Sequence, residues 1–163
     1  MTDEPADRAP TADPILIVDD EKNIRRTLRM VLEGEGHPVH EAGSIVEAEA
    51  VLAREAVDLI LLDVKLGDDN GLDLLRTLKS RGEDGMSSRT SEIPVVMISG
   101  HGTIETAVSA LKFGAYDFLE KPVSLAKLLA TVQRGFEHAA LKRENQGLRS
   151  RIAPPPPIGG STA

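Results

Sequence analysis

Four large apolar residues run straight into a carboxylate at Leu59-Ile60-Leu61-Leu62-Asp63, and Gly67, Asp68, Asp69, Asn70 and Gly71 follow within a few residues. A short, unbroken apolar run bounded by turn residues is the pattern of a strand covered on both faces, as in a parallel sheet. The strand has to stop near Asp63. An unpaired acid in the core is costly, so the rim is the sensible place for it. In open α/β sheets the rim at the carboxyl ends of the strands is also where ligands bind. The question posed by this stretch is therefore what else arrives at that rim.

The other segments supply a sheet around it. Ile15 to Val18 is a short apolar strand closed by Asp19-Asp20-Glu21, and Val39 to Ala42 is a weaker one. Pro94 to Ser99 holds the continuous run Val95-Val96-Met97-Ile98, and Tyr116 to Glu120 precedes Lys121-Pro122. Helical spacing separates them. Lys22 to Glu35 has Ile24, Leu28, Val31 and Leu32 on one side and ends at Gly34 and Gly36. Ser44 and Glu47 form a capping-box pattern ahead of a helix through about Arg54, with Ala48, Val51 and Leu52 facing inward. Gly71 to Arg81 places Leu72, Leu75 and Leu78 on one face, Thr103 to Phe113 ends at Gly114, and Ser124 caps a helix that continues past Leu141. Strands alternating with helices predict five βα units, an α/β sandwich on a parallel sheet.

The remaining stretches are linkers and tails. Residues 1–14 are acidic and Pro-rich and read as a disordered lead-in. Gly82 to Glu92 is polar, Gly- and Ser-rich, and reads as a surface loop, long for a connection in a compact domain. His138, Leu141, Asn145, Leu148 and Ile152 lie at alternating spacings of three and four. That pattern fits either a coiled-coil seam with Asn145 at an a position or an extended amphipathic helix. Pro154 to Pro157 stop any helix and start an extended linker.

Composition narrows the function. Aromatics are 2% of the 163 residues, with no Trp, which argues against stacking platforms for single-stranded nucleic acid. A formal charge of −7 argues against a nonspecific grip on DNA or an anionic membrane. With no Cys, thiolate metal sites, disulfides and cysteine nucleophiles are excluded. The opening MTDEPADRAP lacks a basic start and an apolar core, and no apolar run is long enough to span a bilayer. A cytoplasmic protein is expected.

If the first and third strands are neighbours, Asp19, Asp20 and Asp63 meet at one rim. Three carboxylates so close repel strongly unless a cation joins them, and a hard divalent ion with oxygen ligands such as Mg²⁺ is the usual remedy. Taken singly, each acid could instead be a turn residue or a helix cap, Asp20 above all. Ser99, followed by Gly100 and Gly102, brings a hydroxyl to the same rim, and Lys121 brings an ammonium. Acids, a hydroxyl and an ammonium on four strand ends make a site for moving a phosphoryl group, which needs positioning and charge neutralisation more than covalent machinery. A carboxylate is itself an adequate phosphoryl acceptor.

These motifs, in this order, resemble the receiver domain of two-component response regulators. Ile-Leu-Ile-Val-Asp-Asp-Glu opens the match at Ile15, Leu-Leu-Asp63 carries the acceptor, Ser99-Gly100 is the hydroxyl motif and Lys121-Pro122 closes it, with the likeness extending to about Ala140. The resemblance implies a flavodoxin-like (CheY-like) five-stranded parallel sheet with helices on both faces. It implies a receiver over residues 15–138 and a linker helix over 139–153, a candidate coiled coil. Asp63 would take phosphate from a sensor histidine kinase. Asp20, Asp63 and the Lys65 backbone carbonyl would hold Mg²⁺, with Asp19 reaching it through water. Lys121 would pair with a phosphoryl oxygen across a cis Lys121–Pro122 bond, Ser99 would swing to the phosphate, and Phe118 would follow inward as the aromatic switch. Tyr116 is the rival for that role, but Phe118 stands three before Lys121, where the family keeps its aromatic. Gly67 stands where the family often has proline, so a looser loop is expected after the acceptor. Lys65 and His101 flank the acceptor and the hydroxyl and are expected to tune the lifetime of the aspartyl phosphate.

The segment from Ser99 to Val108, with Gly114-Ala115-Tyr116-Asp117-Phe118, is similar to the nitrogen-regulatory (NtrC-type) class. Such regulators join a receiver to an AAA+ ATPase that activates sigma-54 polymerase and to a DNA-binding domain. Residues 154–163 then read as a Pro-rich linker and the first residues of the ATPase. No Gly-x-x-x-x-Gly-Lys-[Ser/Thr] loop occurs, so this chain hydrolyses no nucleotide. The expected output is a homodimer or inter-domain contact that changes with phosphate, through a face carrying Ile104, Val108 and Leu111. The chain is not expected to be a turnover enzyme, to bind nucleic acid directly, or to meet a membrane. Three other readings compete. An aspartyl-phosphate phosphohydrolase would want an acid where Lys65 stands, and a nucleotide- or flavin-binding domain would want a Gly-rich loop where Asp19-Asp20-Glu21 stands. An unphosphorylated receiver-like interaction module has nothing in the sequence to favour it.

Overall fold

The computed structural model describes residues 13–80, 88–100 and 102–152, and side chains through residue 144 except those of residues 88 and 89. Five parallel strands form the sheet: β1 (Ile15–Val18), β2 (Val39–Ala42), β3 (Leu59–Asp63), β6 (Val95–Ser99) and β7 (Asp117–Glu120), in the order β2-β1-β3-β6-β7. A two-stranded hairpin, β4 (Lys65–Leu66) and β5 (Asp69–Asn70), leaves the end of β3. The helices are α1 (Lys22–Gly34), α2 (Ile45–Arg54), α3 (Gly71–Ser80), α4 (Ser88–Glu92), α5 (Ile104–Lys112) and α6 (Leu125–Ile152). This is the expected CheY-like five-stranded arrangement.

Alternation along the buried strands builds two cores. Ile15, Ile17, Leu59, Leu61, Val96 and Ile98 face one side, where Leu28 and Leu32 of α1 and Leu128 and Val132 of α6 cover them. Leu16, Val18, Ile60, Leu62, Val95 and Met97 face the other, beneath α2, α3 and α5. Covering on both faces is why these strands read as unbroken apolar runs.

Local chemistry fixes the helix starts. Ser44 Oγ accepts from the Glu47 N–H at 3.2 Å, and Glu47 reaches back to the Gly43 N–H at 2.6 Å. This is the expected capping box displaced by one residue on its return bond. Thr103 caps α5 by accepting from the Thr106 N–H at 3.1 Å, and Ser124 accepts from the Lys127 N–H at 3.3 Å. In α3 Leu74 is buried with Leu75 and Leu78, while Leu72 is half-buried, so its inward face is turned slightly from the predicted one.

The stretch expected as one polar loop contains α4. Its reason lies in Lys79, whose Nζ donates to the carbonyls of Ser91 at 2.9 Å and Ile93 at 2.8 Å. A cation at the end of a short helix satisfies carbonyls that lack helical partners. The expectations for residues 1–12, for Arg81, for the loop at 82–87, for His101, for the side chains of Asn145, Leu148 and Ile152, and for residues 153–163 lie outside the described residues. The helical backbone itself runs unbroken to Ile152.

Candidate phosphoryl-acceptor site

β1 and β3 are paired in register, Val18 beside Leu62, so the residues that follow them share one rim. Asp19 and Asp63 are buried, 2% and 5% exposed, whereas Asp20 faces solvent. One carboxylate oxygen from each of the three lies within 4.8 Å of the others. The arrangement is oxygen-only and partly open to water, the donor chemistry that a hard divalent cation requires. Asp19, Asp20 and Asp63 therefore fit such an ion as a set.

Lys121 closes the cluster from the end of β7. Its Nζ donates to Asp63 Oδ2 at 2.9 Å and to Asp19 Oδ2 at 3.1 Å, with Glu21 Oε1 at 3.7 Å. The Lys121–Pro122 peptide is cis, as the resemblance implies. Burial pushes the Asp63 carboxyl above the ordinary carboxylate range, and the nearby Asp19 charge adds to this. The hydrogen bonds from Lys121 and the Lys65 N–H offset only part of that push. Burial would pull the Lys121 ammonium down, but its bonds to Asp63 and Asp19 outweigh this and raise it. The lysine thus stays charged between two buried acids.

The acid turn is tied to the hairpin. Asp20 Oδ2 accepts from the Gly67 N–H at 3.0 Å, and Asp63 Oδ1 accepts from the Lys65 N–H at 3.3 Å. Asp20 is not the cap of α1: that position is Glu21, which makes no side-chain cap bond. Asp19 Oδ1 takes the Glu21 N–H instead, at 2.8 Å. The loop after the acceptor, expected to be looser without proline, is tied to the acid turn by one hydrogen bond. Gly67 sits at φ +61° between β4 and β5 and supplies the N–H that Asp20 accepts. Proline at this position could neither reach that φ nor donate, so glycine here serves a different loop geometry.

The hydroxyl and the aromatic fall where expected. Ser99, 6% exposed, ends β6 and pairs with Glu120, and its carbonyl accepts from the Lys121 N–H at 2.8 Å. Phe118 is half-buried and joins the core on the α2–α3–α5 side. Its ring lies against Gly102, where an added Cβ would stand 2.9 Å from ring atoms. Tyr116 faces α6 instead, with its ring 5.3 Å from that of His138. A cavity of about 380 Å³ opens beside the acceptor, lined by Val64, Lys65, Gly67, Asn70, Ser99 and Thr106 among others.

Some residues of the site escape a motif reading. Arg25 donates through Nη1 to the Asp19 carbonyl at 2.5 Å and through Nε to Glu41 at 2.9 Å. Its only trace in the sequence is a charge beside the apolar stripe of α1. Gly71, which reads as a turn residue, lies against the Asp63 backbone so closely that no Cβ could fit.

A doubly wound parallel sheet whose rim gathers three acids, a lysine and a serine defines a domain of the phosphoryl-accepting signalling type. Comparison with known proteins gives the family. The response regulator receiver domain matches residues 15–133, and the chain belongs to that family. It is 40% identical over 153 residues to the nitrogen assimilation regulatory protein NtrX of Azorhizobium caulinodans, covering 93% of this chain and 32% of that protein. The crystal structure of the receiver domain of NtrX from Brucella abortus matches with TM-score 0.67 at 42% identity, over 76% of this chain and 98% of that one. The solution structure of the beryllofluoride-activated NtrC4 receiver domain dimer matches with TM-score 0.67 at 36% identity, over 77% and 98%. The chain is thus a response regulator receiver of the NtrX-like kind, a signalling domain rather than a turnover enzyme. Among the described residues no helix is long and apolar enough to cross a membrane.

Proposed function

We propose that this chain is the phosphorylated receiver of a sigma-54-type transcriptional regulator of the cytoplasm, and that Asp63 accepts a phosphoryl group from a sensor histidine kinase. The observation that carries the reading is the Lys121 ammonium bridging Asp63 and Asp19 inside the acid cluster. In the transfer an Asp63 oxygen forms the new bond to phosphorus while the phosphorus–nitrogen bond of the donor's phosphohistidine breaks. The electron pair of that bond leaves with the imidazole. Lys121 holds positive charge beside the acceptor, and the Lys65 N–H fixes its other oxygen. Mg²⁺, held by Asp20, Asp63 and the Lys65 carbonyl with Asp19 behind a water, would neutralise charge on the acids and on the incoming phosphoryl oxygens. The cavity beside Ser99 is where those oxygens have room. Ser99 bonds one of them, and Phe118 follows inward as the aromatic switch. Lys65 and His101 set how readily water reaches the product.

The output surface is the exposed face of α5. Ile104, Val108 and Leu111 are 84%, 47% and 51% exposed, while Ala110 on the opposite side is fully buried. An apolar face of this kind, together with the dimer named for the NtrC4 receiver, supports a homodimer that phosphate strengthens. Residues 139–153 carry the change onward as a paired linker helix. The Leu141 side chain, at 60% exposure, is open to a partner helix. An AAA+ ATPase and a DNA-binding domain would receive it in the longer protein, of which this chain is the receiver portion.

Incubation with acetyl phosphate and Mg²⁺ followed by intact mass measurement tests the chemistry. One phosphoryl group is expected on the wild type and none on Asp63→Asn. Equal labelling of both would refute the assignment.

A further inference from the structure

We infer that Arg25 is a positioning residue for the acid pair, locking the peptide that joins Asp19 to Asp20 so that both carboxylates are presented in the geometry a divalent cation needs. The inference rests on the metal-assisted reading above.

Each backbone polar group of Asp19 has a partner. Its N–H donates to the Ala42 carbonyl at 3.0 Å, and its carbonyl accepts Arg25 Nη1 at 2.5 Å. That carbonyl belongs to the peptide unit leading into Asp20, whose exposed carboxylate is otherwise held by the Gly67 N–H. Arg25 is itself fixed. Its Nε donates to Glu41 Oε1 at 2.9 Å, its side chain is 17% exposed, and Nη1 lies 3.3 Å from where a Cβ on residue 43 would stand. Glu41 is anchored from its other oxygen by Arg29 Nη1 at 2.8 Å, and that bond, ahead of the opposing effect of burial, draws its carboxyl below the ordinary range. A chain of charge-assisted bonds thus runs from α1 through β2 to the acid turn.

Asp19 is almost wholly buried, so water has little access to its carbonyl if the guanidinium is removed. The peptide must then keep an unpaired carbonyl or rotate, and rotation swings Asp20 away from Asp63. The Arg25 guanidinium bonds the Asp19 carbonyl and Glu41 rather than a carboxylate of the cluster, and so acts on the cluster through the backbone. Charge gives the opposite expectation. A guanidinium beside an acid cluster repels a cation, so its loss should tighten metal binding if charge were its only contribution.

The opposed signs make the test decisive. Mg²⁺ binding is measured by titration calorimetry at neutral pH on the wild-type chain, Arg25→Gln, Glu41→Gln and Asp20→Asn, well below each thermal transition. Arg25→Gln is expected to bind Mg²⁺ about ten- to a hundredfold more weakly, the fold-change that loss of one charge-assisted hydrogen bond brings. Glu41→Gln, which frees the arginine without removing it, is expected to weaken binding by a smaller factor. Unchanged or tighter binding by Arg25→Gln overturns the inference. If Arg25→Gln does not fold, Arg25→Lys, which keeps the charge but cannot span Glu41 and the Asp19 carbonyl together, is measured in its place, and wild-type affinity there overturns the inference. Asp20→Asn separates the two levels. A wild type whose Mg²⁺ binding is absent, or is unaffected by Asp20→Asn, refutes the metal-assisted reading and this inference with it. Asp20-dependent binding with no effect at Arg25 refutes this inference alone.

Discussion

Adding one methyl group at Gly71 should damage the acceptor site more than its place in a turn-rich stretch of sequence suggests. Gly71 opens α3 and is buried, and its N–H donates to the Val64 carbonyl. A Cβ there would be driven into the Asp63 carbonyl oxygen, with the Asp63 carbonyl carbon 3.1 Å and the Val64 Cα 3.3 Å away. All three obstacles are backbone, so no side chain can rotate aside. Restoring ordinary van der Waals contact requires the end of β3 and the start of α3 to part by about 1 Å. Overpacking of this kind costs roughly 1–3 kcal/mol. For a domain of this size that lowers the melting temperature by about 2–4 °C for each kcal/mol. The functional loss should be larger, because the displaced atoms are the backbone of the acceptor, and a misplacement of about 1 Å at a reacting group costs on the order of 100-fold in rate. Gly71→Ala should therefore remain folded by circular dichroism, melt several degrees lower, and take phosphate from acetyl phosphate far more slowly at saturating Mg²⁺. An unchanged melting temperature and an unchanged rate would show that the backbone relaxes without cost, and the close-approach argument would be wrong.

Other positions give separate tests. Lys121→Met leaves Asp19 and Asp63 buried together without their shared cation. It should abolish phosphorylation and lower thermal stability in metal-free buffer by a few kcal/mol, with Mg²⁺ recovering part of the loss. Stability unaffected by the substitution would contradict the charge balance drawn here. Gly67→Pro removes the N–H that Asp20 accepts and demands a φ of opposite sign to the +61° of the hairpin. It should cost about 1–3 kcal/mol and weaken Mg²⁺ binding, read by melting and calorimetry. Burial, reinforced by Lys142, holds the Lys79 ammonium at a pKa of about 8, below the ordinary 10.5. The unfolded chain then binds more protons than the folded one between these values, so stability rises with pH across that window. Wild-type stability should accordingly gain on that of Lys79→Met as pH increases from 8 towards 10. A constant difference would refute the shift. Val108→Asp places a charge on the exposed apolar face of α5 and should leave the melting temperature within about 0.5 kcal/mol equivalent. The same substitution should block any association induced by beryllofluoride, as judged by sedimentation.

The parts of this molecule that sequence reading reaches are those where one chemical pattern has one physical cause. Runs such as Leu59 to Leu62 are apolar throughout because helices cover both faces, and that alone assigns a parallel sheet. Asp63 and Ser99 end their strands, Asp19 and Lys121 directly follow theirs, and the four therefore meet at one rim. The turn at Asp19-Asp20-Glu21 was open to two readings, cap or cluster. It takes the second form because Glu21 holds the cap position and the Asp20 carboxylate meets the Gly67 N–H across the loop. Such a contact spans 47 positions, beyond any local pattern.

The illegible parts are held by single long-range bonds. The helix at Ser88–Glu92 has no apolar period to announce it and depends on Lys79 capping its end from α3. Gly67 looks like a softened proline position, yet its positive φ and its amide make it a fixed joint. Arg25 looks like any charge on a surface helix until the buried Asp19 carbonyl is found beneath it. In each case the residue type is ordinary and its role is set by a backbone group that the sequence does not display. The acids of such a site are readable from residue spacing, whereas the backbone groups that aim them require coordinates. Substitutions at Arg25, Gly67 and Gly71 should therefore separate aiming from chemistry, since none of the three supplies an atom to the phosphoryl group.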